Sequence, residues 1–301
     1  MRSKESGFGF CLAVLQQLLF FWLVPRIAEH YWPAFLQLRE DWNMGSYTQM
    51  YLAGNTMQLL TLIFGNLYFF FFYKANLPFF EKYKSVDEPW PWQTDKQAWN
   101  KLFWRSIKLT AINAIVVNFV FSYPSISKDE PIPFRDDFNY GTPFTLFMQV
   151  MFCNMVENVS FYMSHSLLHK PFFYKMIHKV HHEHTVTTSI AQISAHPIEY
   201  VFGNALPSTL GCLILGKRMH MSSYFAWGFW RNCEALYGHS GYAFSWNPFR
   251  LLPFHSDGRE HSFHHSENVG NYSSTTNVWD FIYGTNSAFR KQVKEVHSKN
   301  D

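Results

Sequence analysis

The sequence predicts an all-α fold: a polytopic membrane helical bundle of about four transmembrane helices joined to a cytosolic, helical, histidine-rich domain. Three observations predict it. Apolar runs of about seventeen to twenty residues recur through the first half of the chain, near the length an α-helix needs to cross a hydrocarbon core. Thirteen of the fifteen histidines fall between His165 and His265, and they recur at helical spacing. The mean hydropathy of -0.16 is too low for a chain lying wholly in lipid, so the apolar front half must be joined to a polar part.

Phe8 to Val24 is the first span, ended by Pro25-Arg26; no small-residue cleavage site follows it, so it reads as retained rather than as a signal peptide. Met57 to Tyr73, extended back to Leu52 and containing Phe69 to Phe72, is the second. The third runs from about Ile107 to Tyr123 and ends at Pro124, and the fourth, 144–164, leads straight into His165. The chain therefore divides into an N-terminal membrane region (1–143, spans near 8–24, 52–73 and 107–123), a histidine region (144–290, with its clusters at 165–265) and a polar tail (291–301). The apolar stretch 200–236, interrupted by Pro207, reads equally as a shallow re-entrant hairpin or as two further spans.

Charge sets the topology. Lys74, Lys82, Lys84, Lys96, Lys101, Arg105 and Lys108 outweigh Glu81, Asp87, Glu88 and Asp95 between the second and third spans, whereas acids dominate after the third. The positive-inside rule then places both termini and the histidines in the cytosol. Trp90, Trp92, Trp99 and Trp104 suit the lipid interface. Four cysteines without a CxxC pair argue against an iron–sulfur cluster, a zinc ribbon or a disulfide framework. A net charge of +3 is too small for nucleic-acid binding, and no nucleotide-binding fingerprint occurs, so reducing equivalents must come from another protein.

Three clusters carry the chemistry: His165-Ser-Leu-Leu-His169, His178-Lys-Val-His181-His182 and His261-Ser-Phe-His264-His265. Residues three and four apart share a helix face, so each cluster aims several imidazoles into one space. Eight such groups exceed the needs of one ion, which makes two metals the economical reading. Imidazole alone does not choose among iron, zinc, copper and nickel. Adjacent apolar spans point to a lipid-soluble substrate and an oxidant such as O2, which favours two irons; a two-zinc hydrolase normally places more carboxylates around its ions.

These residues resemble the fatty acid hydroxylase/sterol desaturase superfamily of membrane di-iron oxygenases, and most closely the C4-methylsterol oxidases. The resemblance covers about 144–286 and rests on His165-Ser-Leu-Leu-His169-Lys-Pro, Tyr174-Lys-Met-Ile-His178-Lys-Val-His-His182-Glu, Ala195-His-Pro-Ile-Glu199, His239-Ser-Gly-Tyr242, His261-Ser-Phe-His-His265, and Gly270-Asn-Tyr-Ser-Ser274 through Trp279-Asp280 and Tyr283-Gly-Thr285. It implies that His165, His169, His178, His181, His182, His261, His264 and His265 ligate iron, with His239 as a ninth ligand. His184 and His196 would be extra ligands or would orient one, and His255 is open between the site and the core. His30, His220 and His297, outside any cluster, read as interfacial or solvent-exposed. The resemblance further implies an endoplasmic-reticulum enzyme, multi-pass with its catalytic side cytosolic, that draws electrons from NAD(P)H through cytochrome b5 or a similar carrier and its reductase.

The chain departs from the family pattern in places. Ser166 stands where relatives usually carry Arg, Asn158 where an Asp is common and Met163 where Trp is common, while Glu157 remains as a nearby acid. The expected function is O2-dependent oxidation of a sterol, with the C4-methyl group as target. Other expectations within the same chemistry are C5 desaturation, side-chain dealkylation such as C24 de-ethylation, and fatty acyl hydroxylation. A non-catalytic membrane metal-binding or transport protein is the reading from a different class, but transporters hold their ligands within spans near the midplane, and these clusters follow the spans.

Overall fold

The computed structural model describes residues 7–298; the end of the expected polar tail, including Lys299, and the His297 side chain lie outside the described residues. Seven helices organise the chain: α1 (Gly7–Asp41), α2 (Ser46–Ala75), α3 (Lys96–Ser127), α4 (Pro143–Leu168), α5 (Pro197–Arg218), α6 (Met221–His239) and α7 (Gly258–Glu267). No strand forms among the described residues, only isolated bridges. The helix ends follow local chemistry. Asp95 opens α3 by accepting from the amides of Gln97 and Ala98, both at 2.9 Å, and Thr142 opens α4 by accepting from Thr145 N at 3.1 Å with Pro143 in the first turn. Asn76 closes α2 in the left-handed conformation (φ 44°).

Helices α1, α2, α3 and α5 are long and apolar enough to cross a membrane. The expected fourth span, 144–164, forms helix α4, which buries Gln149, Asn154, Glu157, Asn158 and His165 on one face and exposes Phe144, Met148, Met155 and Met163 on the other. The fourth apolar helix is α5, inside the stretch read as a hairpin or a pair of spans; its neighbour α6 carries Arg231 and Glu234. The prolines also mislead. Pro25 and Pro33 lie inside α1 and Pro124 inside α3. A proline removes one backbone donor and crowds the preceding turn, a defect that membrane helices absorb where neighbours re-satisfy the freed groups.

Two wide π turns, Ile112–Val117 in α3 and Tyr200–Ala205 in α5, re-aim the residues around them, as such turns do near functional sites. From the first, buried Asn113 donates to Ala195 O at 2.9 Å and so ties α3 to the start of α5. Helices α4 and α5 meet closely at Gly211, where a Cβ would sit 2.8 Å from Cys153 Cα. Around this seam Trp32, Val150, Cys153, Cys212, Trp227 and Trp230 form the main core. A second core joins Phe69, Phe72 and Tyr73 of α2 to Trp90, Tyr242 and Phe244. Trp90 is therefore not an interfacial residue: it is 1% exposed, stacked on Trp92 with centroids 5.5 Å apart and tilted against Tyr242 at 5.3 Å. Trp104, by contrast, is exposed.

His220 departs from its expected exposure. It is buried and caps α6, accepting from Ser222 N at 3.1 Å through Nδ1 and donating from Nε2 to Asp137 O at 2.8 Å. His30 is exposed. The outer faces of α1, α2 and α3 display Leu18, Trp22, Phe64, Phe70, Val120 and Phe121. An apolar surface of this extent is a liability in water and the natural covering of a helix in lipid. The chain is accordingly a multi-helix membrane protein.

Candidate metal centre

Nine histidines converge into two groups whose ligand atoms lie within 4.8 Å of one another: His165, His169, His178, His182 and His264 in the first, and His181, His239, His261 and His265 in the second. His165 and His169, one turn apart, come from the end of α4 and the residue that caps it. The second cluster is a 3₁₀ turn, His178–Glu183, rather than the α-helix its spacing suggests. Helix α7 supplies the third cluster and α6 ends on His239. Neighbouring residues leave a helix about 100° apart, so the paired histidines diverge. The rings of His181 and His182, and those of His264 and His265, stand at 89° to each other. The second and third clusters thereby each serve both groups, while His165 and His169 both join the first.

The protonation pattern follows from the outer hydrogen bonds. His165 Nδ1 donates to Tyr272 O at 2.9 Å, His264 Nδ1 to Gly270 O at 2.5 Å, His265 Nδ1 to His184 O at 3.0 Å, His239 Nδ1 to Ala235 O at 2.8 Å and His178 Nδ1 to Glu199 Oε1 at 2.8 Å. A carbonyl only accepts, so His165, His264, His265 and His239 carry their proton on Nδ1 and turn a bare Nε2 lone pair inward, while His178 shares its Nδ1 with the Glu199 carboxyl. Burial and the neighbouring imidazoles also hold the histidines neutral. His181 is lowered to about 3, and His178, His261, His264 and His265 fall well below the usual range.

The inward Nε2 atoms then crowd together within each group. His178 Nε2 lies 3.1 Å from His165 Nε2, 3.0 Å from His169 Nε2 and 3.1 Å from His182 Nε2. In the second group His239 Nε2 is 2.9 Å from His261 Nε2 and 3.3 Å from His181 Nε2, and His265 Nε2 is 3.2 Å from His261 Nε2. Buried His264 Nε2 has no partner. Converging lone pairs repel unless a cation sits among them, so the residues fit a metal ion at each group. All-imidazole donors suit iron.

Three other histidines lie outside both groups. His184 is buried with Nε2 2.8 Å from Ser106 Oγ, and reaches the site only through its carbonyl. His196 caps α5, its Nδ1 accepting from Ile198 N at 3.2 Å. His255 is half-buried with Nδ1 3.2 Å from Thr275 O. The sequence reading gave Glu199 no role, although it stands in the string Ala195-His-Pro-Ile-Glu199; its position just before a run of apolar residues was the available signal. The carbonyl acceptors were invisible, because any residue type offers one.

An ionic cluster lies alongside. Arg231 Nε donates to Glu157 Oε1 at 2.8 Å and its Nη1 to Glu234 Oε2 at 2.8 Å, both carboxylates being buried. Ser274 Oγ also donates to Glu157 at 3.0 Å, and Asn158 Oδ1 accepts from Thr276 N at 2.9 Å. Arg231 thus brings an arginine from α6 to Glu157 of α4. A cavity of about 540 Å³ opens beside the histidines, lined by His165, His178, His181, His239 and His261 at one part of its wall and by residues of α2, α3, α5 and α6 elsewhere.

The fatty acid hydroxylase family pattern matches residues 150–285. Methylsterol monooxygenase 1 of Danio rerio is 34% identical over 218 residues, which cover 71% of each chain. Methylsterol monooxygenase 1 of Gallus gallus is 33% identical over 221 residues, 71% of this chain and 69% of that protein. This chain belongs to the methylsterol monooxygenase family. The very-long-chain aldehyde decarbonylase GL1-8 of Oryza sativa subsp. indica is 34% identical over 146 residues, 48% of this chain and 53% of that protein. No solved structure gives a significant match. For a methylsterol monooxygenase family member the matched segment is telling, since 150–285 contains all nine converging histidines together with Glu199 and Gly270.

Proposed function

We propose that this chain is a membrane oxidoreductase that oxidises the C4-methyl group of a sterol at a di-iron centre, in the endoplasmic-reticulum membrane with its histidines on the cytosolic side. The observation that carries the reading is the pair of histidine groups whose unprotonated Nε2 atoms converge beside a cavity; the names of the methylsterol monooxygenase relatives supply the substrate class. His165, His169, His178, His182 and His264 would hold one iron, and His181, His239, His261 and His265 the other. Region 144–290 would be the catalytic part, with 1–143 anchoring it and walling the cavity.

Bound iron supplies the electrons that reduce O2 and the oxidising power that breaks an unactivated C–H bond. The residues do the rest. Glu199 and the carbonyls of Tyr272, Gly270, Ala235 and His184 keep the proton on Nδ1 and fix each ring. Buried packing by Leu168, Ile193 and Ala195 keeps water from the site. The cavity wall from α2 and α3 brings a substrate from lipid to the histidines without passing through water. Reducing equivalents would come from NAD(P)H through cytochrome b5 or a similar carrier.

The test is turnover in iron-replete membranes expressing the chain with NADH, cytochrome b5 and a 4,4-dimethylsterol, with sterols analysed by mass spectrometry. The expected result is a C4 alcohol or acid that a His264→Ala control does not make. An untouched C4-methyl group refutes the target.

A further inference from the structure

Among the described residues, two side chains other than histidines line the cavity with a buried oxygen that has no partner: Glu199, whose other oxygen already meets His178, and Gln192, which bonds to no histidine of the centre. Gln192, in the short helix Ser189–Ile193, is 7% exposed, lines the cavity, and has a buried Oε1 with no partner. Its orientation is determined by a chain of bonds. The carbonyl of Gly228 can only accept, so Asn232 turns its Nδ2 toward it at 2.8 Å. Asn232 Oδ1 then faces Gln192, which must offer Nε2 at 3.2 Å. What Gln192 leaves to the cavity is therefore a carbonyl-type oxygen, an acceptor and never a donor.

A second polar group on the same wall shows the contrast. Tyr200 Oη donates to Asn118 Oδ1 at 3.0 Å, Asn118 Nδ2 donates to Asn55 Oδ1 at 2.9 Å, and Asn55 Nδ2 donates to Tyr51 O at 2.8 Å. That network closes on itself. Gln192 does not, and a buried acceptor without a donor is destabilising until a ligand supplies one.

We propose that Gln192, held by Asn232, is the specificity residue that accepts a hydrogen bond from the substrate's hydroxyl group. The inference rests on the sterol reading and deepens it. A sterol carries its hydroxyl on C3, next to C4, so an acceptor close to the histidines recognises the sterol and positions the C4-methyl group together. An esterified acyl chain or a sterol ether has no such donor and leaves Gln192 unpaired, which is a penalty rather than a neutral loss.

The test compares equilibrium binding of a radiolabelled 4,4-dimethylsterol with that of its 3-O-methyl ether, on the full chain in lipid nanodiscs. Wild type should prefer the free hydroxyl by about 5- to 100-fold. Gln192→Met should lose that preference while binding the ether as wild type does, the latter showing that the cavity is intact. Asn232→Leu, which frees the amide to rotate, should reduce the preference by the same route. A wild type that binds the alcohol no better than the ether overturns the proposal, as does a Gln192→Met protein that keeps the preference. The binding readout is independent of turnover. A retained hydroxyl preference with an unoxidised C4-methyl group would leave Gln192 in its role and refute the reaction alone.

Discussion

Glu199 offers the most direct way to separate the geometry of the histidines from their mere presence. Its Oε1 accepts from His178 Nδ1 at 2.8 Å with both side chains buried, and His178 Nε2 is the atom that three other imidazoles approach. Replacing Glu199 by Gln keeps an acceptor of the same shape at His178 Nδ1, so it should weaken metal binding little. Replacing it by Leu leaves the Nδ1 proton of His178 buried without a partner, which costs about 1–3 kcal/mol, and releases the ring to turn. Loss of such an outer partner typically weakens metal binding by about 10- to 100-fold. The assay is anaerobic Fe(II) titration of the detergent-solubilised chain, with iron per chain counted after gel filtration. The expected order is wild type, then Glu199→Gln, then Glu199→Leu, with the larger loss confined to one of two irons. Equal iron content and affinity in Glu199→Leu would refute the argument that the outer carboxylate sets the inward lone pair.

Other consequences can be measured alongside. Gly270 has φ 63° and a Cβ there would run into the carbonyl oxygen of Thr285; Gly270→Ala should displace the carbonyl that accepts from His264, reducing bound iron while the protein still inserts in the membrane, as read by iron content against a membrane-extraction control. Trp90→Ala should cost about 3–5 kcal/mol by opening the aromatic core, seen as a large drop in the thermal midpoint in detergent. Burial lowers His255 to about 4 from 6.5. The unfolded chain then binds a proton that the folded chain refuses between those values, so stability falls as pH drops from about 6.5 to about 4, with a slope of up to about 1.4 kcal/mol per unit for this group. His255→Gln should have a shallower decline in thermal midpoint between pH 7 and pH 5 than wild type; equal slopes would remove His255 as a cause.

The histidine spacing, the apolar runs and the absence of paired cysteines were enough to define an all-α membrane chain with a metal centre. These properties are local: a side chain's type and its distance along a helix determine what it can do wherever the helix packs. Which histidine joins which group was not local. His178 and His182 meet His165, His169 and His264, while His181 meets His239, His261 and His265, because adjacent residues leave their turn in different directions and only the placement of α4, α6 and α7 determines what each one meets. The same applies to the fourth apolar helix. Polar residues on α4 face a buried seam, and Pro207 left the apolar stretch of α5 open between a hairpin and further spans. His220 and Trp90 looked like surface residues because partners that bury them, Asp137 and Tyr242, lie far along the chain. Sequence by itself determined the chemical kinds of the ligands and the lipid that surrounds them, since both follow from composition and period. Only the tertiary structure decided the pairing of the histidines, the proton positions set by Glu199 and the carbonyls, and the unpaired oxygen of Gln192, since each depends on groups brought together from distant parts of the chain.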